Sequence, residues 1–163
     1  PLYSSAASDV YKRQLYDRQR RIVAAVHAGW RGTVNRILAK TLHRMQSAYG
    51  TRGTDVIACI GPGISLDSFE VGDEVYEAFR TENFPMEYIS VWKPETHKYH
   101  IDLWAANRLQ LSDFGVPPRQ IENAGICTYR QHEDFFSARR LGIKSGRILS
   151  GIMLNRQEKE ERK

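Results

Sequence analysis

Apolar residues in this chain gather into short runs and helical stripes that alternate, with glycine and proline between them. Residues 22–26, Ile-Val-Ala-Ala-Val, form a continuous apolar run with the length and branched side chains of a buried strand. Val34, Ile37, Leu38, Thr41, Leu42 and Met45 then recur at helical spacing behind Thr33, a hydroxyl N-cap, and predict one helix that stops before Gly50. Residues 55–60 read as a second buried strand, ended sharply by Gly61-Pro62-Gly63. Asp73 and Glu74 suit the first turn of a helix whose Val75 and Phe79 face inward. Strands are expected over residues 88–92 and, after the Pro94-Glu95-Thr96 turn, over residues 98–101. Asp102 is placed to cap a helix in which Leu103, Ala106, Asn107, Gln110, Leu111 and Phe114 share a face and Gly115 closes the end. Asn107, a polar residue in that buried stripe, must find hydrogen-bond partners there. Pro117-Pro118 breaks the chain, residues 121–127 supply another strand, and residues 147–154 a last one.

Strands alternating with helices, several of them adjacent at hairpins, predict an α+β fold of mixed α/β layers. One domain is expected over residues 15–155. Residues 1–14 have no apolar periodicity and no initiating methionine, resemble translated adapter sequence, and are set aside as an artefactual leader; residues 156–163 form a charged tail.

Composition narrows the class. With 163 residues, 41% hydrophobic and 26% charged, the chain has the make-up of a soluble globular domain able to bury a core. No run approaches the roughly 20 apolar residues that cross a bilayer, and no signal-peptide core is present, so no membrane contact and a cytoplasmic location are expected. Cys59 and Cys127 are the only cysteines and both lie in strand-like apolar runs, which fits a reducing compartment and two small buried hydrophobes. The net charge of +5 is concentrated at the ends: residues 22–154 hold fifteen basic against fourteen acidic residues. A nucleic-acid groove needs its basic excess on the folded surface, so no nucleic-acid partner is expected. The oligomeric state is left open.

The candidate chemistry lies in residues 27–32, His-Ala-Gly-Trp-Arg-Gly. His27, at the end of a strand, suits metal ligation or proton transfer, Trp30 stacking on a flat ring, and Arg31 an anion beside a helix N-terminus. Phe135-Phe136-Ser137-Ala138-Arg139-Arg140 sets two aromatics before two guanidiniums, a composition that fits a base and a phosphate. Glu70, next to a glycine turn, is expected in a salt bridge. His97 and His100, three apart on a strand, point to opposite faces and make no metal pair. His132 and Asp134 belong to a solvated loop.

Residues 27–32 resemble the signature of the multicopper polyphenol oxidoreductase, or laccase-domain, family. Ile60-Gly61-Pro62-Gly63-Ile64 with Phe69-Glu70-Val71-Gly72, His100-Ile101-Asp102-Leu103 with Asn107, and Cys127-Thr128 with residues 135–140 are similar to its further blocks, in the same order; Ala138 stands where the family usually has an aromatic. The resemblance implies paired sheets between helical layers, with strands upstream of this chain. It implies zinc-dependent phosphorolysis of adenosine, inosine and methylthioadenosine, with adenosine deamination as a second reaction, and hence nucleoside and phosphate as partners. The family's metal is held by two histidines and a cysteine, of which this chain carries only the last histidine, His27; the other two belong to upstream His-Gly and Asp-Cys segments. The fragment by itself is therefore expected to be inactive, since catalytic zinc usually takes three protein ligands. Arg31 and Arg139 are assigned to phosphate or ribose oxygens, and no catalytic residue is assigned. Two other readings remain: editing of peptidoglycan precursors, and copper-dependent oxidation of phenols.

Overall fold

The computed structural model describes residues 12–142 and 144–155. β1 (Lys12–Asp17) and β2 (Ile22–His27) form an antiparallel hairpin with Lys12 opposite His27. Asp17 Oδ1 accepts the backbone N–H groups of Gln19 and Arg20 at 3.0 and 2.9 Å, which fixes the turn. β3 (Val56–Ile60) pairs antiparallel to the other side of β1, and β7 (Ile121–Asn123) pairs parallel to β3, giving the order β2-β1-β3-β7. A second, antiparallel sheet has the order β4 (Glu70–Val71), β6 (Lys98–Ile101), β5 (Ser90–Lys93).

Among the described residues the helices are α1 (Trp30–Val34), α2 (Ile37–Tyr49), α3 (Asp73–Thr81), α4 (Met86–Ile89), α5 (Leu103–Asp113) and α6 (Ala138–Leu141). The fold is therefore mixed α+β. No helix among the described residues is long and apolar enough to cross a membrane.

Two cores form. In one, Leu15, Ala24, Val26, Val56, Ala58 and Ile60 of the four-stranded sheet pack against Leu38, Leu42 and Met45 of α2. In the other, the three-stranded sheet and the segments around it contribute Ile64, Phe69, Val71 and Ile101, packed with Val75 and Phe79 of α3. α5 serves both, with Leu103 and Ala106 in the second core and Leu111 in the first. Each aliphatic side chain removed from water stabilises the fold by roughly 1.5–3 kcal/mol. On its opposite face the four-stranded sheet carries half-buried Tyr16, Val23 and Cys59 and exposed Ile57, which line a cavity of about 390 Å³ with residues 152–155.

Several sequence expectations change. β1 starts at Lys12, three residues upstream of the boundary drawn at Leu15: two adjacent cations hid the strand, yet Lys12 and Arg13 are both buried. The rest of the proposed leader, residues 1–11, and the charged tail lie outside the described residues. The single helix expected behind Thr33 is two, because Arg36 adopts a left-handed conformation at φ 54° between α1 and α2. Residues 88–92 split into the end of α4 and the start of β5, and the strand expected over 121–127 stops at Asn123. Residues 147–154 are apolar but form no strand; they cross the outer face of the four-stranded sheet, where Gln14 Nε2 donates to Gly151 O.

Candidate functional site

β2 and β3 both run antiparallel to β1, and β7 runs parallel to β3, so the carboxyl ends of three strands meet at one end of the sheet. Open sheets tend to bind ligands at such ends. His27 closes β2 there, half-buried, opposite Lys12. The Gly61 N–H donates to Lys12 O at 3.0 Å and ties the glycine-proline turn to the same end. Gly63 N–H donates to Ile126 O, and Thr128 N–H to Gly63 O, both at 3.0 Å, which brings Cys127 alongside Gly63.

The turn after His27 departs from expectation. Thr33 is not an N-cap: it lies inside α1, whose N-cap is Gly29 with no side-chain capping bond. Its hydroxyl instead donates back to Ala28 O at 3.1 Å. A five-residue helix offers little dipole for an anion, so recognition of negative charge falls on side chains.

Arg31 lies exposed with its guanidinium 4.3 Å from the centre of the Trp30 ring. Trp30 is thus partly buried against the second core and covered by Arg31. Arg139 donates from Nη1 to Glu70 O at 2.8 Å and lies 5.3 Å over the Phe69 ring. Arg140 lies 5.2 Å over Tyr129 and donates to its hydroxyl at 3.4 Å. Trp30, Phe69 and Tyr129 belong to or pack on one core, so three exposed guanidiniums are mounted on the aromatics of a single cluster. The rings screen one face of each cation; Arg139 and Arg140 each spend an Nη1 N–H on Glu70 O or the Tyr129 hydroxyl, and the remaining N–H groups can serve an oxyanion.

Glu70 makes the expected ion pair: Lys98 Nζ donates to its Oε1 at 2.9 Å. That bond, more than any other contact, holds the carboxyl below its ordinary range. His100 Nε2 approaches the other carboxylate oxygen at 3.8 Å, and its Nδ1 meets Leu66 O at 2.9 Å. His100 is buried, whereas His97 sits exposed in the preceding turn.

Cys127 does more than fill space. Its sulfur accepts the Ser65 hydroxyl at 3.1 Å and the Ser65 N–H at 3.4 Å, and lies 3.6 Å from Ser68 Oγ. Burial pushes the thiol up, but these bonds and one from the Arg130 N–H together outweigh burial and bring it down to about 7. Cys59 behaves oppositely, pushed up by burial and by Glu122. The Ser-x-x-Ser spacing after the glycine-proline turn was the available sequence signal, but nothing local ties it to a cysteine 62 residues away.

Among the described residues no three His, Cys, Asp or Glu converge as a metal site. His27 alone does not fit a catalytic zinc.

The family model described as multi-copper polyphenol oxidoreductase laccase matches residues 8–155, beginning inside the segment set aside as a leader. The chain is 63% identical, over 87% of its length and 53% of the relative's, to a purine nucleoside phosphorylase of Bacteroides thetaiotaomicron. It is 50% identical, over 85% and 52%, to adenosine deaminase RL5 of an unknown prokaryotic organism. The crystal structure of YlmD from Geobacillus stearothermophilus superposes with a TM-score of 0.78 at 31% identity, over 86% of this chain and 52% of that one. The chain spans about half the length of these relatives.

Proposed function

The chain belongs to the multi-copper polyphenol oxidoreductase laccase family, and from that premise we propose that it serves phosphorolysis of purine nucleosides, with adenosine deamination as a second reaction. In phosphorolysis an inorganic phosphate oxygen bonds to C1′ of the ribose as the bond from C1′ to the purine breaks. The base leaves with the electron pair and takes up a proton, and the other product is the sugar 1-phosphate: ribose 1-phosphate from adenosine or inosine, 5-methylthioribose 1-phosphate from methylthioadenosine. Adenosine, inosine and methylthioadenosine are the substrates in this reading, and the location is cytoplasmic.

The observation that carries it is 63% identity, over 87% of this chain, with a purine nucleoside phosphorylase. Three exposed guanidiniums on one aromatic cluster support it chemically. Arg31 and Arg139 hold phosphate or ribose oxygens through charge-assisted bonds, which are roughly twice as strong as neutral ones. Zinc is the cofactor we propose for the complete protein, with His27 as one ligand and two others from outside the described residues; bound there, it would stabilise developing charge.

Titration with inorganic phosphate tests the arginines in the chain itself. Arg31→Ala and Arg139→Ala should each weaken binding by about tenfold, the loss of one charge-assisted bond at an exposed site. An unchanged affinity removes that arginine from the scheme.

The family description favours a second reading, copper-dependent oxidation of phenols. Metal analysis of a protein of the relatives' length separates them: copper with a thiolate charge-transfer band supports oxidation, zinc alone supports nucleoside chemistry.

A further inference from the structure

Between the two cores α5 carries two polar side chains that water does not reach. Asn107 is 0% and Gln110 1% exposed. A buried amide is costly unless its hydrogen bonds are made; each of these two donates one bond to Thr33 of α1, while Asn107 Oδ1 is buried without a partner among the described residues. Asn107 Nδ2 donates to Thr33 Oγ1 at 3.1 Å and to Leu103 O at 2.6 Å, and Gln110 Nε2 donates to Thr33 O at 3.2 Å. Because Leu103 O can only accept, the amide's NH2 group must face it, which fixes the orientation of Asn107. Gln110 Oε1 accepts the Ala39 N–H of α2 at 3.2 Å, and Arg13 Nη2 reaches the same Leu103 carbonyl at 3.4 Å.

Thr33 passes this anchorage on. With its hydroxyl oxygen accepting from Asn107, its proton is directed to Ala28 O, the carbonyl next to His27. α1 needs such support: one turn of helix is not stable alone, no side chain caps it, and Arg36 breaks it from α2.

We propose that Asn107 is a positioning residue: through Thr33 it fixes the Ala28 carbonyl and so the turn that presents His27, Trp30 and Arg31. A consequence for phosphate binding rests on the reading of Arg31 given above; the positioning itself does not.

Amide hydrogen exchange on the 163-residue chain tests it. The Thr33, Asn35 and Arg36 N–H groups report on α1, and the Gly50 and Glu82 N–H groups serve as references at the ends of α2 and α3. Asn107→Leu keeps the volume and removes the donor; Thr33→Val removes the relay while leaving Asn107 its bond to Leu103, and so remains informative if the first variant folds poorly. Each should speed exchange in α1 by about tenfold over the references, the effect of one buried hydrogen bond. The double variant should exceed neither single one, and Thr33→Ser should restore protection. Equal acceleration of α1 and the references, or additive effects in the double variant, overturns the proposal. Phosphate titration of Asn107→Leu keeps the two readings apart. Faster α1 exchange with unchanged phosphate affinity supports the positioning role and counts against Arg31 alone.

Discussion

At Cys127 burial and hydrogen bonding pull in opposite directions, and the bonds prevail: the thiol falls from its ordinary 9.0 to about 7. The folded state therefore holds its proton more loosely than the unfolded one. The resulting stability is fully present above pH 9.0 and is lost as the pH falls through about 7. Thiolate ultraviolet absorbance should rise in two steps, the lower near pH 7 from Cys127 and the upper, above the ordinary thiol range, from Cys59. Cys127→Ala should remove the lower step and flatten the dependence of the urea midpoint on pH between about 7 and 9. A lower step that survives the substitution refutes the assignment. The same residue marks the limit of sequence reading. That it is buried follows from an apolar run; that it is polarised does not, because its donors arrive from Ser65 across the fold. Asn107 shows the opposite case, since an amide on a buried stripe has to be bonded and the structure supplies Thr33 and Leu103. His27 was legible as the residue at a strand's end for the same local reason.

Elements whose causes are local were readable, and those set by tertiary contact were not. β2, β3, β6 and α5 follow from apolar runs, a helical stripe and the Asp102 cap, whose Oδ1 accepts the Ala105 N–H at 2.9 Å. The break at Arg36 has no such sign: the residue is held left-handed while its guanidinium bonds Glu82 O at 2.8 Å and stacks on Phe84 4.4 Å away, both from beyond α3. Gly53 is a further instance. A Cβ there would meet Gly115 O at 2.5 Å and Phe114 O at 2.7 Å, both in the backbone that ends α5, a contact with no local sign in the sequence. Backbone cannot step aside as a side chain can. Gly53→Ala should therefore cost about 1–3 kcal/mol, the usual penalty of overpacking, measured as a lowered urea midpoint at unchanged slope. Gly115→Ala meets no atom within 4 Å but sits at φ 92°, so any loss there comes from backbone strain alone. A Gly53→Ala protein as stable as the original would mean that the turn before β3 and the end of α5 are not in close contact.

Taken whole, the chain carries the arginines and one histidine of the proposed chemistry on a framework about half the length of its relatives. The four-block order that marks the family is spread over both sheets, yet the fold brings His27, the glycine-proline turn and Cys127 to one end of the four-stranded sheet. On the zinc reading proposed above, the donor set decides what this chain does alone: among the described residues no three His, Cys, Asp or Glu converge to enclose a metal. Catalytic zinc usually takes three protein ligands, so the 163-residue chain should produce no ribose 1-phosphate from inosine with added zinc and phosphate. Adding the remaining half of the Bacteroides relative in trans should restore turnover if the missing donors lie there, and His27→Ala should abolish it again. Arg31→Ala and Arg139→Ala should then raise the KM for phosphate. Turnover by the chain alone that survives His27→Ala would sink the metal role of His27. Turnover by the chain alone that His27→Ala abolishes would place the other ligands on a second copy of the chain or in residues 1–11 and 156–163, and sedimentation of the active species would tell these apart.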